Sequence, residues 1–264
     1  MPELPEVENV RLGLNQYLTK KPLTKVTLLR KDLRFPLPRK ELLSLKNHCL
    51  LNLERRGKFL IFNFDHLSLF SHLGMTGHWR VEKIHRPIKH DHLILSWKDQ
   101  NWIYNDPRRF GYIGLHTGQL LKKFGPDPIL DDIKSNDLWL KAQGKKQPIK
   151  TWLMDQKNIL GIGNIYASEV LFACGLHPLR PVHKVTETQW KQILQHTKRI
   201  LKKSIRLGGS TIKDYRTVDG EKGGFQNTWA VYDKEGLSCK TCKHPIFHLK
   251  LSGRATYFCK SCQK

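Results

Sequence analysis

The hydrophobic rhythm of the chain changes twice. Val7, Val10, Leu14 and Leu18 recur at helical spacing and predict an amphipathic helix close to the start. From there to about residue 124 the apolar residues come in short runs. Leu23 to Asp32, Leu50 to Leu53, Lys58 to Phe64, Leu67 to Leu73, His92 to Trp97 and Trp102 to Asn105 read as strands. Phe35-Pro36-Leu37-Pro38, Arg56-Gly57, Gly74, Gly77 and Lys98-Asp99-Gln100-Asn101 interrupt them as loops and turns. Many short strands of this kind predict a sandwich or barrel. Gly125-Pro126-Asp127-Pro128 stops helix and sheet alike and marks a domain boundary. Beyond it the period turns helical over Ser135 to Gln143, Ile149 to Asp155, Ile165 to Cys174 and Glu187 to Leu207, with Gly208-Gly209 closing the last helix. From about Trp229 short strands return. The fold class is therefore α+β, in two domains.

Charge narrows the partner. Forty-six basic residues against 23 acidic ones give a net charge of +23 and a pI near 9.9, as expected of a protein that binds a nucleic-acid backbone. An anionic membrane surface would also attract it. No apolar run is long enough to span a bilayer, and the acidic start is unlike a signal peptide. The expectation is an intracellular, cytoplasmic protein bound to nucleic acid.

The six cysteines do not form a disulfide framework in a chain this long. Cys49 and Cys174 sit in apolar surroundings and read as core residues. The other four make two knuckles, Cys239-Lys-Thr-Cys242 and Cys259-Lys-Ser-Cys262, separated by 16 residues. Four thiolates satisfy tetrahedral zinc with no open position, so one structural zinc ion is expected. The intervening stretch is long enough for a β-hairpin. It carries Lys243, Lys250 and Arg254 with Lys240 and Lys260 in the knuckles, and predicts a face toward phosphates.

Met1-Pro2-Glu3-Leu4-Pro5-Glu6 is the stretch with chemistry in it. A small residue after methionine favours methionine removal, which would leave proline's secondary amine at the chain start. An α-amino group titrates near pH 8, so a useful fraction is nucleophilic at neutral pH, and a helix N-terminus depresses that pKa further. A secondary amine attacking a sugar carbon yields an iminium ion that cannot lose its charge, an electron sink for elimination. Glu3 and Glu6 could move the protons. Proline and glutamate are also ordinary first-turn residues, so this stretch needs support from the rest.

That support comes from motifs in order. Pro2-Glu3-Leu4-Pro5-Glu6-Val7-Glu8, Arg56-Gly57-Lys58, His72-Leu73-Gly74-Met75, Asp106-Pro107-Arg108-Arg109-Phe110-Gly111, Gly161-Ile162-Gly163-Asn164-Ile165-Tyr166-Ala167-Ser168-Glu169 and the four terminal cysteines resemble the bacterial formamidopyrimidine-DNA glycosylases over essentially the whole chain. The resemblance implies an N-terminal catalytic β-sandwich (1–124) with flanking helices and a linker (125–148). A helix–two-turn–helix domain with a lesion-recognition loop (149–228) and a zinc finger (229–264) would follow. It implies a monomer on double-stranded DNA containing oxidised bases. The activity implied is excision of 8-oxoguanine and formamidopyrimidines, followed by strand nicking through β,δ-elimination.

The same resemblance assigns roles. Pro2 would be the nucleophile, Glu3 the general acid/base, Glu6 a supporting carboxylate, and Lys58 a DNA contact that assists cleavage. Phosphates would be held by Lys58, His72, Asn164 and Arg254, with Arg109 and Lys150 among the DNA-contact positions. A base must leave the stack to reach Pro2, and the vacated space must be filled. Met75, Arg108 and Phe110 would fill it, Arg108 reading the opposite cytosine. Thr217, Val218, Asp219, Gly220 and Gly223 would form the lid over the everted base. Two other readings stay open. One is an endonuclease VIII-like enzyme for oxidised pyrimidines, against which the reading Pro-Glu-Val-Glu and the long glycine-rich lid argue. The other is a non-catalytic zinc DNA-binding protein, which would be expected to lose Pro2 or Glu3.

Overall fold

The computed structural model describes residues 1–211, 218 and 220–264. They form two compact units, one of Met1–Lys122 with Leu207–Gln226, the other of Lys123–Arg206 with Asn227–Lys264.

In the first unit, helix α1 (Leu4–Gln16) precedes β1 (Lys25–Leu28), the short helix α2 (Arg39–Ser44) and strands β2 (Leu50–Arg56), β3 (Phe59–Phe64), β4 (Ser68–His72), β5 (His78–Glu82), β6 (Asp91–Ser96), β7 (Asn101–Asn105) and β8 (Tyr112–Leu115). Two antiparallel four-stranded sheets result, ordered β1-β6-β7-β5 and β2-β3-β4-β8. Their inner faces meet through aromatic rings. Phe62 of one sheet packs on Trp79 and Trp102 of the other, with centroids 5.1 and 6.4 Å apart. Val7, Val10 and Leu14 of α1 are buried in the same core, whereas Leu18, the last of the apolar stripe read from the sequence, lies beyond the helix end and is half-buried against it. Strands β5 and β8 and helix α2 escaped the sequence reading. Both strands are sheet edges with mixed burial, β8 contains Gly114, and α2 is barely two turns long.

The second unit holds α3 (Ser135–Ala142), α4 (Ile149–Met154), α5 (Asn164–Ala173), α6 (Glu187–Arg206) and the hairpin β9 (Phe247–Leu251) and β10 (Arg254–Phe258). Helix α6 buries Trp190, Ile193, Leu194, Thr197, Leu201 and Ser204 along one face. Trp152 of α4 packs on Trp190 at 4.8 Å between centroids. Residues 155–163 connect α4 to α5 in a tight path held by the side chains of Asp155, Gln156 and Asn158. Gln156 accepts the Gly161 N–H (2.8 Å) and donates to the Ile162 carbonyl (2.8 Å). This is the helix–two-turn–helix region.

Segment Leu207–Gln226, expected with the helical domain, groups instead with the sandwich. The physical reason is local. Gly208 and Gly209 take φ of 77° and 79°, which turns the chain so that the Ser210 N–H reaches Glu6. Val218 is buried against Gly13 of α1. Cys49 and Cys174 are half-buried.

Candidate active site and nucleic-acid interface

Local sequence builds the start of α1 around two carboxylates. Glu3 is the N-cap, in extended backbone, and Glu6 is the third helical residue, a capping box with prolines alongside. The Glu3 N–H donates to Glu6 Oε2 at 2.9 Å. The other Glu6 oxygen accepts the Ser210 N–H at 2.7 Å. Glu6 thereby ties the backbone of Glu3 to the root of segment 207–226. Gly209 is required there: its φ is positive, and a Cβ would press on Glu6 Oε1 at 3.1 Å. Pro2, Glu3 and Glu6 are buried, while Met1 lies exposed in front of them.

The root of the segment is stitched from both sides. Gly224 N–H donates to the Leu207 carbonyl (2.7 Å), Phe225 N–H to Gly209 (3.0 Å) and Gly223 N–H to Thr211 Oγ1 (2.9 Å). Gly220 is exposed with φ 83°. Thr217 and Asp219 lie outside the described residues.

Lys58 follows Gly57 in the two-residue turn between β2 and β3. Gly57 has φ 56°, as the first position of a type II′ hairpin turn demands. Beside the turn, buried Arg55 donates to Glu8 Oε2 of α1 (2.8 Å) and to the Gly57 carbonyl (3.3 Å). Glu8 and Arg55 thus lock the helix that carries Glu3 to the turn that carries Lys58. The sequence reading passed over this pair, because 46 residues separate its members.

A groove of about 640 Å³ joins Met1, Asp32, Leu33, Arg34, His72, Gly74, Met75, Arg108, Arg109 and Phe110. Five of the predicted residues converge here, with Arg34 as an unpredicted cation. His72 accepts the Gly74 N–H on Nδ1 at 3.1 Å, so its proton belongs on Nε2. Burial, with Lys58 and Arg34 adding repulsion, lowers its pKa to about 4, and the ring is neutral at pH 7. Arg108 lies over the Phe110 ring, 4.7 Å from the centroid. Arg109 takes the left-handed backbone region, φ 56°, and reaches Asp32 at 3.6 Å.

In the second unit, Asn164 opens α5 behind Gly163. Its Nδ2 donates to the Ala255 carbonyl at 2.9 Å. Buried Lys150 donates to Asn164 Oδ1 (2.7 Å), Thr256 Oγ1 (2.8 Å) and the Ala255 carbonyl (3.3 Å). The lysine therefore ties α4, α5 and β10 together, an internal task beside the DNA contact the resemblance implies. Glu169, quoted above only as part of a motif, accepts three consecutive N–H groups, from Ala230, Val231 and Tyr232 (2.8–3.0 Å). Arg254 begins β10 immediately after Ser252-Gly253, both with positive φ, a type I′ turn. It is exposed and borders a pocket of about 330 Å³ with Lys150, Thr151, Asp155 and Thr256.

The four predicted cysteines converge, their sulfurs all within 4.8 Å. Cys239 to Cys262 is 3.8 Å and Cys242 to Cys259 is 3.4 Å, against about 3.8 Å between thiolates around tetrahedral zinc at ~2.3 Å bonds. The donor set fits structural zinc. His48, Asp65 and His66 also cluster, but their rings stack at 3.6 Å and 25°. No ion could lie in both ring planes at a bond of about 2.0–2.1 Å.

Comparison with known proteins agrees with this geometry. Residues 1–113 match the formamidopyrimidine-DNA glycosylase N-terminal domain, and residues 124–216 the H2TH domain of the same enzymes. The formamidopyrimidine-DNA glycosylases of Psychromonas ingrahamii and Bdellovibrio bacteriovorus are 41% and 42% identical, each over the whole of both chains. A Lactococcus lactis Fpg solved with abasic-site DNA superposes with TM-score 0.89 at 34% identity, covering 99% of both chains. A mutant of it solved with Fapy-dG DNA gives 0.90 at 34%, covering all of both. MutM of Thermus thermophilus gives 0.89 at 36%, covering 99% and 98%. The class is that of the helix–two-turn–helix DNA glycosylases with a zinc-finger end. The chain belongs to the formamidopyrimidine-DNA glycosylase family.

Proposed function

We propose that the chain excises oxidised purines, 8-oxoguanine and formamidopyrimidines, from double-stranded DNA and then nicks the strand. The observation that carries this reading is the groove of the first unit, which opens at the amino terminus and is rimmed by His72, Met75, Arg108 and Phe110. The relatives support the substrate class: they are formamidopyrimidine-DNA glycosylases, and their solved complexes include Fapy-dG and abasic-site DNA.

Removal of Met1 exposes the Pro2 amine. Its lone pair forms a bond to the sugar C1′ as the glycosidic bond breaks; the base leaves with the electron pair of the glycosidic bond and takes up a proton, matched by the one the Pro2 nitrogen sheds. Glu3 protonates the sugar ring oxygen as the C1′–O bond opens, leaving an iminium ion. Loss of a C2′ proton then expels the 3′ phosphate, and a second elimination expels the 5′ phosphate. Glu6 holds the Glu3 backbone in place. Lys58, neutral His72 through Nε2–H, Asn164 and Arg254 hold phosphates; Met75, Arg108 and Phe110 fill the gap. A zinc ion on the four cysteines would fix the hairpin that presents Arg254. The protein works as a monomer in the cytoplasm. Among the described residues no helix is long and apolar enough to cross a membrane.

Borohydride trapping on an 8-oxoguanine:cytosine duplex tests the proposal, with mass mapping of the cross-linked peptide. The expected adduct lies on a peptide beginning at Pro2. An adduct only on an oxidised-pyrimidine duplex would move the protein to the sister specificity. With Met1 absent, no adduct on either would leave a DNA-binding protein without chemistry.

A further inference from the structure

The gap-filling residues stand on two separate loops of the first unit. Met75 follows β4, and Arg108 and Phe110 follow β7. Their tips are exposed, Met75 at 40% and Phe110 at 43%. Beneath them lies a sealed cluster centred on Asp106, whose exposure is 0%. Asp106 Oδ1 accepts the hydroxyl of Thr76, the neighbour of Met75, at 2.6 Å. Asp106 Oδ2 accepts the N–H of Gly111, the neighbour of Phe110, at 2.8 Å. The Thr76 oxygen in turn accepts the Arg108 N–H at 3.2 Å. The Tyr104 hydroxyl fills the space between Gly77 and Gly111, and a Cβ on either glycine would land on it. Gly74 lies against the Phe110 backbone, where a Cβ would also collide.

We infer that Asp106 is a positioning residue that locks the Met75 loop and the Arg108–Phe110 loop into a single wedge, which enters the DNA stack as one body. The inference rests on the gap-filling roles proposed above. A carboxylate suits this task because it only accepts, and it can take both donors at once. Asparagine at the site would aim an NH₂ group at one of those donors. The Asp106 backbone is itself pinned, its N–H donating to the His90 carbonyl (3.1 Å) and its carbonyl accepting from His92 Nε2 (2.9 Å). Burial, and then the facing Asp106 carboxylate, hold the Tyr104 phenol well above its ordinary pKa, so no second charge enters the cluster. Two exposed loops that moved independently would each lose conformational freedom on entering the stack. A preorganised pair loses less.

The test is a set of double-mutant cycles on single-turnover excision of 8-oxoguanine opposite cytosine. 2-Aminopurine beside the lesion reports wedge insertion in the same experiments. In the natural background Met75→Ala and Phe110→Ala should be strongly non-additive. In a Thr76→Val or Asp106→Asn background they should become additive, with insertion slowed by about tenfold to a hundredfold. Thr76→Ser should restore both coupling and rate. Thr76→Val keeps shape and serves if Asp106→Asn does not fold, as thermal melting will tell. Persistence of the coupling in both backgrounds would overturn the inference while leaving the wedge intact. If Met75→Ala and Phe110→Ala leave insertion unchanged in the natural background, the wedge reading itself falls and takes the inference with it.

Discussion

Glu3 and Glu6 stand on a helix whose apolar face is sealed into a core shared by two sheets, whereas Arg254 stands on a two-stranded hairpin. The small core around that hairpin has four buried members, Val231, Cys239, Ile246 and Cys259. The first region can hold its chemistry by burying aliphatic and aromatic surface, worth about 1.5–3 kcal/mol for each large side chain. An isolated two-stranded hairpin is marginal in water, so the second region uses what the first does not need. Four thiolates converge for a metal, Lys150 ties three elements together, and Glu169 grips three successive N–H groups. Precision in the first region comes from packing, with a few carboxylates bridging distant segments; in the second it comes mainly from polar contacts.

The largest effect should come from taking the metal away. Apparent zinc affinities of such sites correspond to about 10–16 kcal/mol, and that energy is folding energy of the finger. Chelation should abolish duplex binding while the sandwich keeps its cooperative melting transition. Binding and nicking that survive proven zinc loss would erase the contrast between the two regions.

Next in size is Glu3→Gln. Excision should fall by about 10²–10⁴-fold, with duplex affinity little changed, because the N-cap geometry and the Glu6 contact remain. Parallel loss of affinity would place Glu3 in binding instead of chemistry.

A middle-sized effect is expected at Lys150→Met. The lost ammonium leaves Asn164 Oδ1 and Thr256 Oγ1 short of a donor, a cost of about 1–3 kcal/mol. Melting of the second unit should fall accordingly and DNA binding should weaken with it. Weakened binding without any change in melting would make Lys150 a direct phosphate contact alone.

At neutral pH the smallest effect concerns His72. Its folded pKa near 4 lies below the ordinary 6.5, so between these values the unfolded chain takes up a proton that the folded chain refuses. Stability should therefore be unaffected by this residue above pH 6.5 and decline as pH falls toward 4. His72→Gln should flatten that decline, measured by denaturant midpoints across the range. An NMR titration of the free protein should show the ring neutral at pH 6. A midpoint above 6 would remove the Gly74-fixed tautomer from the argument.

Much of this protein was legible in its residue order. The helix of Val7, Val10 and Leu14 shows itself in a repeat of three and four, because both ends of the pattern lie within one element. The zinc site is legible for a similar reason, since each knuckle brings two of the four thiolates within two residues of each other. Residue order also supplied the motifs that placed Pro2, Glu3, His72 and Arg254. It did not reveal the edge strands β5 and β8, whose half-exposed faces blur the alternation. Nor did it reveal what holds the motifs together. Glu8 with Arg55, Glu6 with Ser210 and Asp106 with Thr76 pair residues from 30 to 204 positions apart. Nothing local distinguishes a carboxylate that will be buried between two N–H groups from one that will face water. Only the tertiary structure decided that Leu207–Gln226 joins the sandwich and not the helices. The reason is that one glycine-made turn and one carboxylate, far apart in sequence, meet only after the chain has folded.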